Sequence, residues 1–180
     1  PDFGADQNLK FENTGSKLFY VTVTNAGKPA IGREIAEAND LRINVDYMLP
    51  NGTGLNQKMI PQGTDFIAKV KISNPSARKR YAEMALNQVF PSGWEIINER
   101  MTSGARNTYT SDYSDYRDYR DDRVNTYFDI PRNGSKTFYV RLNASYLGKF
   151  YLPSVSCEAM YDNTIYAHTA GTWVEVVSNE

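Results

Sequence analysis

The stretch LRINVDYMLPNG, residues 41–52, decides the fold class. Leu41, Ile43, Val45, Tyr47 and Leu49 fall on one side of a two-residue repeat, with Arg42, Asn44 and Asp46 on the other. The run closes on Pro-Asn-Gly, a strong turn signal. Alternate side chains of an extended segment point to opposite faces, so this one has a buried and a wet face. The pattern spreads outward from here. Upstream, KLFYVTVTNAGKP (17–29) alternates Leu18, Tyr20 and Thr22 against Phe19, Val21 and Val23, then meets an Asn-Ala-Gly turn. Downstream, DFIAKVKISNP (65–75) puts Phe66, Ala68, Val70 and Ile72 on one side and stops at Asn-Pro. RYAEMALNQVFPSG (80–93) and WEIINERM (94–101) flank a Pro-Ser-Gly corner. RVNTYFDIPRNG (123–134) alternates Val124, Thr126, Phe128 and Ile130. KTFYVRLNASYLGKFYLPSVSCEAMYD (136–162) reads as two strands broken at Leu-Gly, and GTWVEVVS (171–178) as a last strand.

GREIAEAND (32–40) and YAEMALNQV (81–89) look briefly helical, but neither is long enough to overturn the pattern. Many short strands separated by Pro, Gly and Asn turns predict an all-β chain, an antiparallel β-sandwich of about seven to nine strands. The 180 residues suffice for one ordinary core, and 41% hydrophobic with 23% charged residues is a globular composition. Twenty basic against 21 acidic side chains argue against a nucleic-acid or anionic-membrane binder. No run approaches a membrane span, and no signal-peptide core stands at the start. The chain opens on Pro1 without a methionine, which reads as an excised fragment of something longer.

Residues 109–124, YTSDYSDYRDYRDDRV, return Tyr, Asp and Arg every third position. A repeat of three fits neither a strand nor a helix. The expectation is a solvated loop over 109–119, with a strand starting near Arg120. A calcium loop needs a sharp-turn Gly that this tract lacks, and its Arg residues repel a cation. Its acids cancel its bases, which disfavours nucleic acid. Interleaved charges on an exposed edge suit protection against strand-to-strand aggregation.

Catalytic chemistry is sparse. The single histidine is His168 and the single cysteine Cys157, so a triad or Cys–His pair lacks its usual sequence context and no Cys-based zinc cage is possible. Cys157 lies in the alternating run LPSVSCEAM and reads as a buried core thiol. No phosphate loop, dinucleotide fingerprint or zinc-protease motif occurs. NGT (51–53), NGS (133–135) and NAS (143–145) match the glycosylation triplet but sit on Asn-rich turns, where such matches carry little information. The expectation is no metal, no cofactor and no enzyme.

The second half holds an ordered series of marks: Pro91-Ser92-Gly93-Trp94-Glu95; Arg120-Asp121-Asp122-Arg123 followed by Tyr-Phe-Asp-Ile-Pro; Phe138 to Leu142; Gly148-Lys149-Phe150; Pro153; Glu158-Ala159-Met160-Tyr161-Asp162; and Thr-Ala-Gly at 169–171. This series resembles the C-terminal, last macroglobulin-like domain of bacterial alpha-2-macroglobulins. LRINVDYMLPNGTGLNQKMIPQGTDFIAKVKISN also fits, so the resemblance covers residues 37–178, with 1–36 as a lead-in from the preceding part and 37–180 as the domain. The family consists of large envelope-associated protease traps, periplasmic or surface-anchored. Bait cleavage rearranges the molecule, and in many members a Cys–Gln thioester in another domain captures the protease. The resemblance implies a non-catalytic domain whose partners are the thioester domain and neighbouring macroglobulin domains, and through the parent protein the trapped proteases. It implies that Met160 and Tyr161 lie against the reactive bond, a role suited to a soft Met and a broad Tyr face. The plainer reading of the alternation makes Met160 core and lets Tyr161 cap a strand before an Asp-Asn turn at 162–163. For Arg120, Asp121, Asp122 and Arg123 two roles stand: a structural corner, with the acids accepting backbone N–H groups and the arginines neutralising them, or contact with a neighbouring domain. Residues 109–119 then read as a lineage-specific elaboration. Outside this resemblance, 13 Tyr and 2 Trp leave an extracellular adhesion or carbohydrate-binding sandwich as the alternative.

Overall fold

The computed structural model describes residues 10–23, 31–32, 34–97 and 109–178. Among these are thirteen strands and no helix: β1 (Glu37–Asn39), β2 (Arg42–Met48), β3 (Met59–Pro61), β4 (Asp65–Ser73), β5 (Tyr81–Val89), β6 (Trp94–Ile97), β7 (Tyr116–Tyr119), β8 (Arg123–Ile130), β9 (Ser135–Ala144), β10 (Gly148–Leu152), β11 (Ser156–Ala159), β12 (Asp162–His168) and β13 (Thr172–Val177). The longer strands β2, β4, β5, β8, β9, β10 and β13 are those announced by the alternating runs; β12 lies where no strand is expected, and the short ones add edges and corners.

One layer is the four-stranded antiparallel sheet β2-β4-β9-β6. Its inner face carries Phe66, Ala68, Val70 and Ile72 from β4 and Phe138, Val140, Leu142 and Ala144 from β9, all buried as the alternation requires. Two sheets share the facing layer. The six-stranded β1-β12-β11-β5-β8-β7 covers Val70, Ile72 and Phe138 with Met84, Leu86, Phe128, Ile130, Cys157 and Ala167. The three-stranded β10-β13-β3 covers Phe66, Ala68, Val140 and Leu142 with Ile60, Leu152, Val174 and Val176. Among the strand pairs of the described residues, β13–β3 alone is parallel.

These two facing sheets are one long hairpin that breaks midway. β10 pairs β13 and β11 pairs β12. Pro153 interrupts the outgoing strand, because it has no N–H to donate to a ladder. Across the break Thr169 N–H donates to the Val155 carbonyl and Val155 N–H to Thr169 Oγ1, each at 3.0 Å.

Residues 81–89 form a nine-residue strand, not a helical turn. Its Ala and Glu content favours helix locally, but Met84, Leu86 and Gln88 are buried in alternation, and pairing on both sides overrides propensity. The ladder to β8 is broken by a bulge between Tyr81 and Met84, where Glu83 takes φ +53°. Residues 17–23, expected as a strand, form none among the described residues, and Leu18, Phe19, Tyr20, Val21 and Val23 are exposed. Both faces of that alternation are apolar and nothing described here covers either. The remainder of that run (24–29) and residues 98–101 of the WEIINERM run lie outside the described residues.

Two marks that are distant in sequence form one contact. Gly93, in the Pro91–Trp94 corner, lies under the Phe150 ring so closely that a Cβ there would sit 2.3 Å from it. The Gly93 carbonyl accepts N–H bonds from Ser145 (3.0 Å) and Tyr146 (3.1 Å), pinning the β9–β10 turn to the corner.

Candidate functional site

The hairpin joining β11 to β12 turns on two residues, Met160 and Tyr161, since Ala159 pairs with Asp162. The turn lies two residues earlier than the expected Asp162-Asn163, which opens β12 instead. Two-residue hairpins favour left-handed central residues, whose twist matches the strands. Neither Met160 nor Tyr161 has positive φ, and the ladder absorbs the mismatch as an irregularity after Glu158. Inside it Asp162 accepts from Thr164, at 3.1 Å from its N–H and 2.6 Å from its hydroxyl. These bonds, the hydroxyl first, hold the Asp162 carboxyl below the usual aspartate range.

The tip is braced from behind. Met160 N–H donates to the Glu83 carbonyl at 3.0 Å, and Glu83 N–H donates to Asp129 Oδ1 at 2.8 Å. Asp129 in turn pairs with Arg80. On this frame Met160 is 43% and Tyr161 86% exposed. A cleft of about 210 Å³ opens beside the tip, lined in part by Lys79, Arg80, Tyr81, Tyr161, Asp162 and Ile165. Met160 is therefore only half-buried and outside the two core clusters, and Tyr161 stands largely exposed among the described residues.

The 109–123 tract is no free loop. Residues 116–119 pair with β8 as an edge strand, and Arg120–Arg123 form the hairpin turn, with Arg120 N–H bonded to the Arg123 carbonyl at 2.9 Å. The strand proper thus starts four residues before Arg120. Ahead of it, the tract straps the open edge of β9 that β6 leaves unpaired. Asp112 N–H donates to the Thr137 carbonyl (2.9 Å), its carboxylate accepts from Thr137 N–H (2.7 Å), and Ser111 Oγ accepts from Tyr139 N–H (2.9 Å). Arg117 reaches across from β7 to Ser111 Oγ (3.0 Å) and the Tyr139 carbonyl (3.1 Å), tying the two layers together. Alternation does not reveal this strap because one backbone bond and several side-chain bonds, not a repeating ladder, hold it.

Within the turn, Arg123 clamps Asp122 through two bonds of 2.9 and 2.6 Å, and Arg120 holds Asp118 at 2.8 Å. The Asp122 carboxyl lies below its usual range chiefly because of Arg123. Arg123 thus pairs within the corner, while Arg120 takes Asp118 rather than a corner aspartate. The Asp122 carbonyl accepts Phe90 N–H at 2.8 Å, anchoring the corner on the end of β5. Met160–Tyr161 and Arg120–Arg123 occupy separate hairpin turns of the six-stranded sheet.

Cys157 and His168 do not meet. Cys157 is opposite Ala167 and fully buried, and burial raises its thiol pKa far above the usual range. His168 lies on the other face, stacked 6.1 Å from Tyr166 and 3.8 Å from a Glu37 carboxylate oxygen. No cluster of three metal-ligating side chains occurs among the described residues.

Residues 41–163 match the family model for the bacterial alpha-2-macroglobulin MG10 domain. The chain belongs to that family. It is 21% identical over 164 residues to an alpha-2-macroglobulin of Pasteurella multocida, covering 91% of this chain and 8% of that protein. Salmonella alpha-2-macroglobulin reacted with methylamine shares the fold, with TM-score 0.71, 19% identity, 84% of this chain covered and 10% of that one. A native Escherichia coli alpha-2-macroglobulin fragment spanning domain MG7 to the C-terminus gives TM-score 0.70 at 16% identity, over 81% of this chain and 24% of that one. The MG10 domain thus spans about a tenth or less of two of these relatives and about a quarter of the third, and its neighbours in such proteins are further macroglobulin domains.

Proposed function

We propose that this domain is a non-catalytic part of a protease trap in the bacterial cell envelope, and that its Met160–Tyr161 tip packs on a thioester domain and keeps water from the reactive bond. The observation that carries the reading is Tyr161, an 86% exposed aromatic ring at the tip of a turn braced by β5. An isolated domain gains nothing from holding a large apolar ring in water. A partner surface does gain, because a rigid ring excludes solvent with little ordering cost. That one solved relative was reacted with methylamine supports the presence of a nucleophile-sensitive bond in such proteins. Bait cleavage would then release the tip by a change of domain arrangement.

The test uses the full-length parent protein. Tyr161→Gly and Met160→Ala should leave its melting temperature unchanged and speed loss of the thioester to methylamine before any bait cleavage. Loss no faster than in the parent, with equal protease capture, would sink the shielding role.

A further inference from the structure

The outer face of β10-β13-β3 exposes two large apolar side chains. Trp173 is 49% and Met59 58% exposed, and Met59 is in register with Glu175, two residues along β13 from Trp173. Tyr151, opposite Trp173, meets its ring edge-on at 5.4 Å, and Lys149 Nζ lies 5.6 Å above the same ring. Glu175, on the central strand, lies between Lys149 and Met59, so its charge is matched by the lysine on the next strand. Exposed Trp, Tyr and Met side chains of this kind are enriched in protein–protein contacts.

The upstream chain is fastened to this face. The Tyr151 hydroxyl donates to the Glu34 carboxylate, which also accepts Gly32 N–H at 2.9 Å. Gly32, at φ +84°, packs so that a Cβ there would lie 3.7 Å from Trp173 Nε1. Ile31 and Ile35, flanking this clasp, are both exposed. Further upstream, residues 18–23 expose apolar side chains on both faces of their alternation, the pattern of a strand covered on both sides.

We infer that the Trp173 face is the docking surface for the unit immediately upstream in the parent chain, the one whose sheet takes in residues 17–23. The clasp sets where that unit enters, and Trp173, Met59 and Tyr151 supply the apolar part of the contact. This rests on the chain being one domain of a larger protein but not on any thioester, so the methylamine assay and the test below fail independently.

The test is hydroxyl-radical footprinting of the full parent protein, with each residue normalised to its rate in the unfolded parent. Trp173 and Met59 should be protected about tenfold more than Tyr113 and Tyr116, a ratio that corresponds to ~1.4 kcal/mol. In Trp173→Ser, Met59 should lose that excess protection while Cys157 stays closed to thiol reagents. Protection of Trp173 and Met59 no greater than that of Tyr113 and Tyr116 in the unsubstituted parent overturns the inference. So does protection of Trp173 that arises only when an oligosaccharide is added.

Discussion

Gly93→Ala is a clean steric probe of the corner that locks the three-stranded sheet to the rest of the fold. Gly93 is not in the left-handed region, so alanine fits its backbone and only space is at issue. The new Cβ would lie 2.3 and 2.4 Å from two Phe150 ring carbons. Ordinary contact needs roughly 1 Å more. The backbone cannot retreat freely, since the Gly93 carbonyl holds both Ser145 and Tyr146. The ring cannot swing freely either, because Phe150 packs on the cluster containing Trp94, Leu152 and Val174. Overpacking of this kind costs about 1–3 kcal/mol, and at this chain length each kcal/mol lowers Tm by about 2–4 °C. Phe150→Ala removes the half-buried ring and should itself cost about 1.5–3 kcal/mol. In that background Gly93→Ala should cost less than ~0.5 kcal/mol, because the three atoms nearest the new Cβ are gone. Urea melts of the four proteins, with m unchanged, measure the coupling. Additive costs would refute the reasoning and would place the glycine's importance in the backbone instead.

Other expectations follow from individual groups. Asn74 is buried with its amide donating to the Lys79 (2.8 Å) and Pro131 (3.1 Å) carbonyls and accepting Ser76 N–H (2.8 Å); Asn74→Ala should cost about 1–3 kcal/mol in urea melts, and a neutral result would show that the loop re-pairs itself. Cys157 should react with a thiol reagent only as fast as the chain unfolds, because the thiol is buried and its pKa raised; complete labelling of the folded protein within minutes would contradict this. Asp162, held low first by the Thr164 hydroxyl, keeps its charge below the ordinary value of 3.8. Its contribution is therefore present above that value and lost as pH falls beneath it through the lowered folded value. Thr164→Val should move the Asp162 midpoint upward in an NMR titration, and an unmoved midpoint would remove the hydroxyl as the cause.

The core was legible because one face of each long strand is dry. Phe66, Ala68, Val70 and Ile72, and likewise Val124, Thr126, Phe128 and Ile130, are buried where alternation puts them. Period-two reasoning needs an unbroken pleat, and it loses its hold wherever the pleat breaks. At 81–89 the Ala-Glu composition suggests a helical turn, and a bulge shifts the register between Tyr81 and Met84. At 109–119 the bonds to β9 come from Ser111, Asp112 and Arg117, so charge and polarity suggest a loop where a strap lies. At Pro153 lies a second break, missed by reading 136–162 as two strands broken only at Leu-Gly, and its two halves enter different sheets.

The tip follows the same logic in its strongest form. Continued alternation past Val155, Cys157 and Ala159 puts Met160 and Tyr161 on opposite faces of a strand. The chain turns there instead, and three irregularities aim the turn. Glu83 in the left-handed region turns its carbonyl to meet Met160 N–H, Asp162 and Thr164 take up the excess of β12, and Arg80 fixes the Asp129 that holds Glu83. None of these has a periodic signal, so only the Glu-Ala-Met-Tyr-Asp resemblance pointed to these two residues. Yet the irregularities all act to one end. A left-handed non-glycine residue costs about 1–2 kcal/mol, and an aromatic ring left in water adds no burial to offset it. A domain shaped for its own stability would have little use for either. Both make sense if the tip is shaped to meet a surface outside this domain, and the methylamine experiment asks whether that surface carries the reactive bond.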